Sequence, residues 1–294
     1  MLLSDLGAEV WKIERPGIGD ESRLFKPPQI NGESCYFLAF NRNKKSLAVD
    51  VKTAEGKEII RKLAKNADVL VENFLPQTMG KLGLDYDSLK EESPGLVYCS
   101  ISGFGPDGPY ASKGGFDVVA AAVGGLLNIT GPIVTTDLMT GQFAHGAILA
   151  ALLQRHSTGL GQKIDCSLLA TQIATLTNIG SGYLNTGNEP KKWGTDHETV
   201  VPYRGFKAKD GHWFVIGAGN NKLWKILTDC IGLPELCDKP EYETNVERVK
   251  NRVQLTALLQ KRFEEKTVDE WAAIFEKTDL PFGPRPAGAL LLSQ

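Results

Sequence analysis

The sequence predicts an α/β protein, a Rossmann-like, mostly parallel sheet flanked by helices, followed by a smaller α+β domain. Three observations carry that expectation. Short β-branched runs alternate with amphipathic helical stretches over residues 1–190, the pattern of strand–helix–strand units. The links between these units are short. After Glu189-Pro-Lys-Lys-Trp-Gly194 the alternation gives way to a hairpin and then to helices. The expected division is therefore 1–190 for the large domain, 191–280 for the small one, and 281–294 for a linker cut short.

The elements follow in order. Leu2–Leu6 reads as the tail of a helix closed by Gly7. Ala8–Glu14 alternates as a strand, with Trp11 and Ile13 on one face. Only seven residues precede it, so the chain is expected to be internal to a longer protein, cut at both ends. Leu47–Val51 is a second strand. Thr53 N-caps a helix to about Lys65, with Ile59, Ile60 and Leu63 facing inward. Asp68–Val71 and Gly95–Ile101 are buried strands. Phe116–Leu127 is helical, weakened by Gly124-Gly125. Leu138–His156 is the strongest helix, with Phe143, Ala147, Ile148, Ala151 and Leu152 stacked at 3–4 spacing. Ile164–Leu168 is a strand, and Thr171–Tyr183 a helix. In the second domain, Val200–Ile216 forms a hairpin about Lys209-Asp210-Gly211. Helices follow at about 221–231, 248–264 and 268–277, the last opened by the capping-box pair Thr267 and Glu270. Gly283–Gln294 forms no convincing element.

Composition narrows the function. Of 294 residues, 42% are hydrophobic and 23% charged, which is ordinary globular composition. With 33 basic and 35 acidic residues the net charge is −2, so nucleic acid or an anionic membrane would find no bulk attraction. No run approaches a transmembrane span. Five widely spaced cysteines with no C-x-x-C argue neither for a disulfide framework nor for zinc. The histidines at 145, 156, 197 and 212 lack metal-ligand spacing, so no metal is expected.

Three constellations carry candidate chemistry. Asp137 opens the strongest helix, where the dipole and free N–H groups favour a carboxylate; it is either a plain N-cap or an ionised nucleophile. Gly217-Ala-Gly219-Asn220-Asn221 lies between a strand and a helix, as either an anion-accepting loop or a tight turn. Lys12, Arg15, Arg23, Lys26, Arg42, Lys44 and Lys45 make the start of the chain basic, as either a phosphate site or a solvated face.

Taken together, several blocks resemble the class III CoA-transferase family. They are Asp5–Asp20, Asn41-Arg-Asn-Lys-Lys-Ser46, Val71-Glu-Asn-Phe-Leu-Pro76, Leu82-Gly-Leu84, Ser100-Ile-Ser-Gly-Phe-Gly105 and Asp137-Leu-Met-Thr-Gly141, in the family's order and spacing. The resemblance implies an enzyme that moves coenzyme A between carboxylic acids, with Asp137 as the nucleophile. It implies CoA contacts from Arg15, Val49, Lys52, Asn73, Phe74, Lys81 and Ser102. Gly217, Gly219 and Asn220 would form a mobile loop over the acyl–enzyme. The stretch Lys192–Tyr203 is similar to members acting on small dicarboxylates, which implies substrate contacts for His197 and Tyr203. The family also implies acyl-CoA as substrate with no permanently bound cofactor, an interlocked homodimer, and a mitochondrial location.

The sequence departs from the family at several points. The family's first strand would precede Met1 and its last segment would follow Gln294. The stretch between Gly131-Pro132 and Thr136 is shorter than usual, and Leu75 and Gln77 replace a common Arg and Gly. Two alternatives remain, an inactive truncated homologue and a 2-methylacyl-CoA racemase-like isomerase. Racemases resemble Gly-His-Asp where this chain has Gly115-Phe116-Asp117, and Phe116 removes the second acid/base that proton exchange needs.

Overall fold

A computed structural model describes residues 1–131 and 135–285. The chain divides into two compact units between Lys191 and Lys192.

The first unit is built from parallel strands and covering helices. Strands β1 (Val10–Glu14) and β2 (Lys44–Ala48) pair in parallel, Val10 opposite Lys44 and Glu14 opposite Ala48. Strands β3 (Val69–Glu72), β4 (Val97–Ser102) and β5 (Lys163–Ser167) form a second parallel sheet with β4 in the centre. Helix α1 (Ala54–Asn66) is capped by Thr53, whose hydroxyl accepts the Gly56 N–H at 3.0 Å. It buries Gly56, Ile60 and Ala64, while Ile59 turns outward. The short α2 (Thr78–Leu82) follows β3. The expected helix at 116–127 is interrupted: α3 (Asp117–Val123) ends at Gly124, and a separate turn of helix runs Leu126–Thr130.

Helix α4 (Thr136–Thr158) lies on β4 and β5. Its buried stripe is Ala144, Ile148 and Ala151, packed with Val97 and Cys99; Phe143 points outward instead. The expected single helix at 171–183 is two, α5 (Leu168–Thr175) and α6 (Thr177–Thr186). The break falls at Thr177, whose φ of 45° no β-branched residue adopts inside a helix. Helices α3, α4 and α5 pack on one another.

The second unit is α+β. Strands β6 (Tyr203–Lys207), β7 (Trp213–Gly217) and β8 (Phe282–Arg285) form an antiparallel sheet with β7 in the middle. The β8 strand corrects the expectation of a linker from residue 281. Residues 286–294 lie outside the described residues. Helices α7 (Asn221–Cys230), α8 (Asn245–Lys250), α9 (Arg252–Phe263) and α10 (Val268–Phe275) complete the unit, the expected 248–264 helix being split at Asn251. Phe206, Phe214, Phe263, Trp271 and Phe275 are almost wholly buried in its core. Among the described residues, no helix is long and apolar enough to cross a membrane.

Candidate active site

The candidate CoA contacts fall at the carboxyl ends of parallel strands, where open α/β sheets bind ligands. Arg15 directly follows β1, and Val49 directly follows β2, its N–H donating to Glu14 O at 2.9 Å. Lys52 is exposed in the turn before α1. Asn73 and Phe74 directly follow β3, Lys81 lies on α2, and Ser102 ends β4. Phe74 and Ser102 share a cavity of about 220 Å³ with Met79, Gly80 and Tyr98. Its other walls include Glu72, Asp85, Asp87, Asp165 and Lys163. The surplus of carboxylates suits amide or amino donors better than phosphates.

The basic run at the start of the chain is largely consumed internally. Lys12 pairs with Asp20, Arg23 with Glu14, Arg42 with Asp5, and Lys45 with Glu9. Glu14 is buried and accepts from Arg23 twice at 3.1 Å, from Ser46 Oγ at 2.9 Å and from the Asp20 N–H at 2.9 Å. These bonds fold the loop after β1 so that Arg15 stays exposed, 3.7 Å from Glu21.

Asp137 is the second residue of α4, not its N-cap. Thr135 occupies the cap and its side chain makes no capping bond. The Asp137 N–H donates instead to Asp117 Oδ1 at 2.7 Å. The Asp137 carboxyl is held above the usual carboxylate range, first by loss of hydration and then by the Asp117 charge. Asp117 itself is buried, and its Oδ2 finds no partner among the described residues. The shortened stretch before Asp137 includes residues 132–134, which lie outside the described residues.

Two backbones meet close by. A Cβ on Gly103 would stand 2.4 Å from Gly115 Cα, and one on Gly115 would stand 2.2 Å from Gly103 Cα. The end of β4 therefore rests directly on the segment leading to Asp117.

The second unit gathers the remaining candidates. His197 and Tyr203 meet edge to face at 5.4 Å, and the His197 N–H donates to Tyr203 O at 2.9 Å. Both line a small pocket with Arg204 and Arg252. Gly217 ends β7 against the Tyr203 ring; a Cβ there would lie 2.8 Å from it. Gly219 has open space beside it, and Asn220 N-caps α7 by accepting the Leu223 N–H at 2.9 Å. Among the described residues, no group of acidic, histidine or cysteine side chains is arranged to hold a metal ion.

The chain matches the profile of CoA-transferase family III over residues 1–287. It belongs to that family. It is 47% identical over 293 residues to the succinyl-CoA:glutarate CoA-transferases of Mus musculus and Homo sapiens, covering 97% of this chain and 67% of each relative. A crystal structure of a CaiB/BaiF family protein from Brucella suis is similar with a TM-score of 0.82 and 39% identity, over 97% of this chain and 78% of that one. This family III chain is thus an enzyme of the CoA-transferase class, and the substrates of that class are CoA thioesters. In this family III chain the sequence did not reveal that Asp117 accepts from the Asp137 amide or that Glu14 accepts from Arg23. Their partners lie 20 and 9 residues away, and no local pattern encodes such pairings.

Proposed function

We propose that this chain transfers CoA from an acyl-CoA such as succinyl-CoA to a small dicarboxylic acid through a covalent Asp137 intermediate. The observation that carries the proposal is Asp137, an exposed carboxylate in the first turn of α4 whose backbone N–H is held by Asp117. A carboxylate at this place can form the covalent intermediate that splits one difficult acyl transfer into easier steps. An Asp137 oxygen attacks the thioester carbonyl, the C–S bond breaks, and CoA leaves as thiolate, giving a mixed anhydride. The thiolate then attacks the aspartyl carbonyl, releasing the donor acid and forming an aspartyl–CoA thioester. The acceptor carboxylate displaces CoA from it, and the returning thiolate takes the acceptor acyl group and frees Asp137. Every step is acyl transfer between oxygen and sulfur, so no permanently bound cofactor is needed.

We assign CoA binding and catalysis to residues 1–190, with Arg15, Val49, Lys52, Asn73, Phe74, Lys81 and Ser102 along the strand ends. Phe74 and Ser102 line the acidic cavity, which suits the amide end of CoA. Gly217, Gly219 and Asn220 form the covering loop, and His197 and Tyr203 recognise the dicarboxylate. A homodimer is the expected assembly, supported by exposed apolar side chains on α3, α4 and α6. A mitochondrial location is assigned on family resemblance alone. The racemase-like reading is disfavoured by Phe116, which offers no proton.

Mass spectrometry after incubation with succinyl-CoA and trapping with hydroxylamine tests the proposal. The expected result is a modification on Asp137 that is absent from Asp137→Ala. A folded protein that turns over substrate without modification at Asp137 would overturn it.

A further inference from the structure

We infer that Asp117 is a positioning residue for the nucleophile: its carboxylate takes the Asp137 backbone N–H and fixes the first turn of α4 from outside the helix. The inference rests on the reading of Asp137 as nucleophile and goes beyond it. Three observations support it. Asp117 begins α3, yet its Oδ1 accepts a 2.7 Å bond from Asp137, 20 residues further along the chain. That length is at the short end of the N–H···O range. The residue in the cap position of α4, Thr135, contributes no side-chain bond, so Asp117 does the work of the missing cap. Finally, Asp117 is itself held: two residues before it, Gly115 touches Gly103, which directly follows Ser102. A continuous path of covalent and van der Waals contact therefore runs from the end of β4, through Gly103, Gly115 and Asp117, to the Asp137 amide.

A buried carboxylate is costly to keep in a fold. Its use here is geometric. With the Asp137 amide tied down, the Asp137 Cα–Cβ vector has one direction, which a nucleophile approaching a thioester carbonyl requires. Misplacement by about 1 Å costs roughly 100-fold in rate.

The experiment compares Asp117→Ala and Asp117→Asn with wild type in single-turnover labelling of Asp137 by succinyl-CoA, together with amide hydrogen exchange over residues 136–140. Asp117→Ala is expected to label about 10- to 100-fold more slowly, with KM for succinyl-CoA within about twofold of wild type. Asn retains an acceptor oxygen at the same place, so Asp117→Asn is expected within about threefold of wild type. Exchange of the Asp137 amide is expected to accelerate at least about tenfold in Asp117→Ala only, the loss of one hydrogen bond. Wild-type labelling rates in a folded Asp117→Ala, or unchanged exchange of the Asp137 amide, would overturn the inference. So would a loss beyond about tenfold in Asp117→Asn, which also decides the matter if Asp117→Ala does not fold. If wild type leaves Asp137 unlabelled, the nucleophile reading fails, and the exchange measurement still decides whether Asp117 holds the amide.

Discussion

Asp20 illustrates how single side chains hold the strand-end loops in place. Burial would push its carboxyl upward, but the Lys12 ammonium and the Ser22 hydroxyl and N–H outweigh it and hold the pKa at about 2. Glu14 beside it is likewise held below the usual carboxylate range, chiefly by Arg23, against its burial. A depressed carboxyl stabilises the fold above its unfolded pKa of about 3.9, and that stabilisation disappears as pH falls toward the folded value. Asp20→Asn is therefore expected to lower Tm at pH 7 and to flatten the fall of Tm between about pH 4 and pH 2. A thermal melt series across that range checks both. Residue identities in this loop were legible in the sequence as a basic run, but their pairing was not. Charge composition does not say which cation meets which anion across a turn, and here the acids answer most of the bases.

At the scale of elements, the sequence is most informative where a helix carries its own start signal. Thr267 and Glu270 form both bonds of the capping box, Thr267 Oγ1 accepting at 3.3 Å and Glu270 Oε2 accepting at 2.7 Å. Thr267→Ala is expected to cost about 1 kcal/mol in chemical denaturation. Thr53 over α1 was equally legible. What escaped is instructive. The break at Thr177, with its φ of 45°, falls among Thr175, Asn178, Gly180 and Gly182, weak helix formers that the spacing of apolar residues does not register. The β8 strand contains Pro284 and follows Pro281, so it reads as loop. It survives because β8 is an edge strand, where a missing donor is tolerated. The helix that carries Asp137 was visible from its periodicity, although Phe143 belongs to the outward face. The roles at the site came from family resemblance, since spacing alone left Asp137 a cap or a nucleophile.

For the molecule as a whole, apolar exposure is the informative quantity. Leu153 on α4 is 74% exposed, Leu184 on α6 83%, and Phe116 before α3 76%, with Val118, Val123 and Ile173 also outward. These exposed side chains motivate a test of the proposed homodimer. Sedimentation equilibrium at micromolar concentration is expected to give a dimer, and Leu153→Asp with Leu184→Asp a larger monomer fraction. A wild-type monomer would remove the dimer from the account. The two compact units part between Lys191 and Lys192, close to where strand–helix alternation gives way to a hairpin.

The bare-backbone contact of Gly103 with Gly115 also governs how this chain can diversify. Neither position can acquire a side chain, and no change at one relieves the other, because each would strike main-chain atoms rather than a yielding side chain. Residues 104–114 are consequently a loop with both ends pinned. Lengthening such a loop adds little closure entropy. Insertions and substitutions there are absorbed by the loop itself, while Ser102 on one side and Asp117 on the other stay where they are.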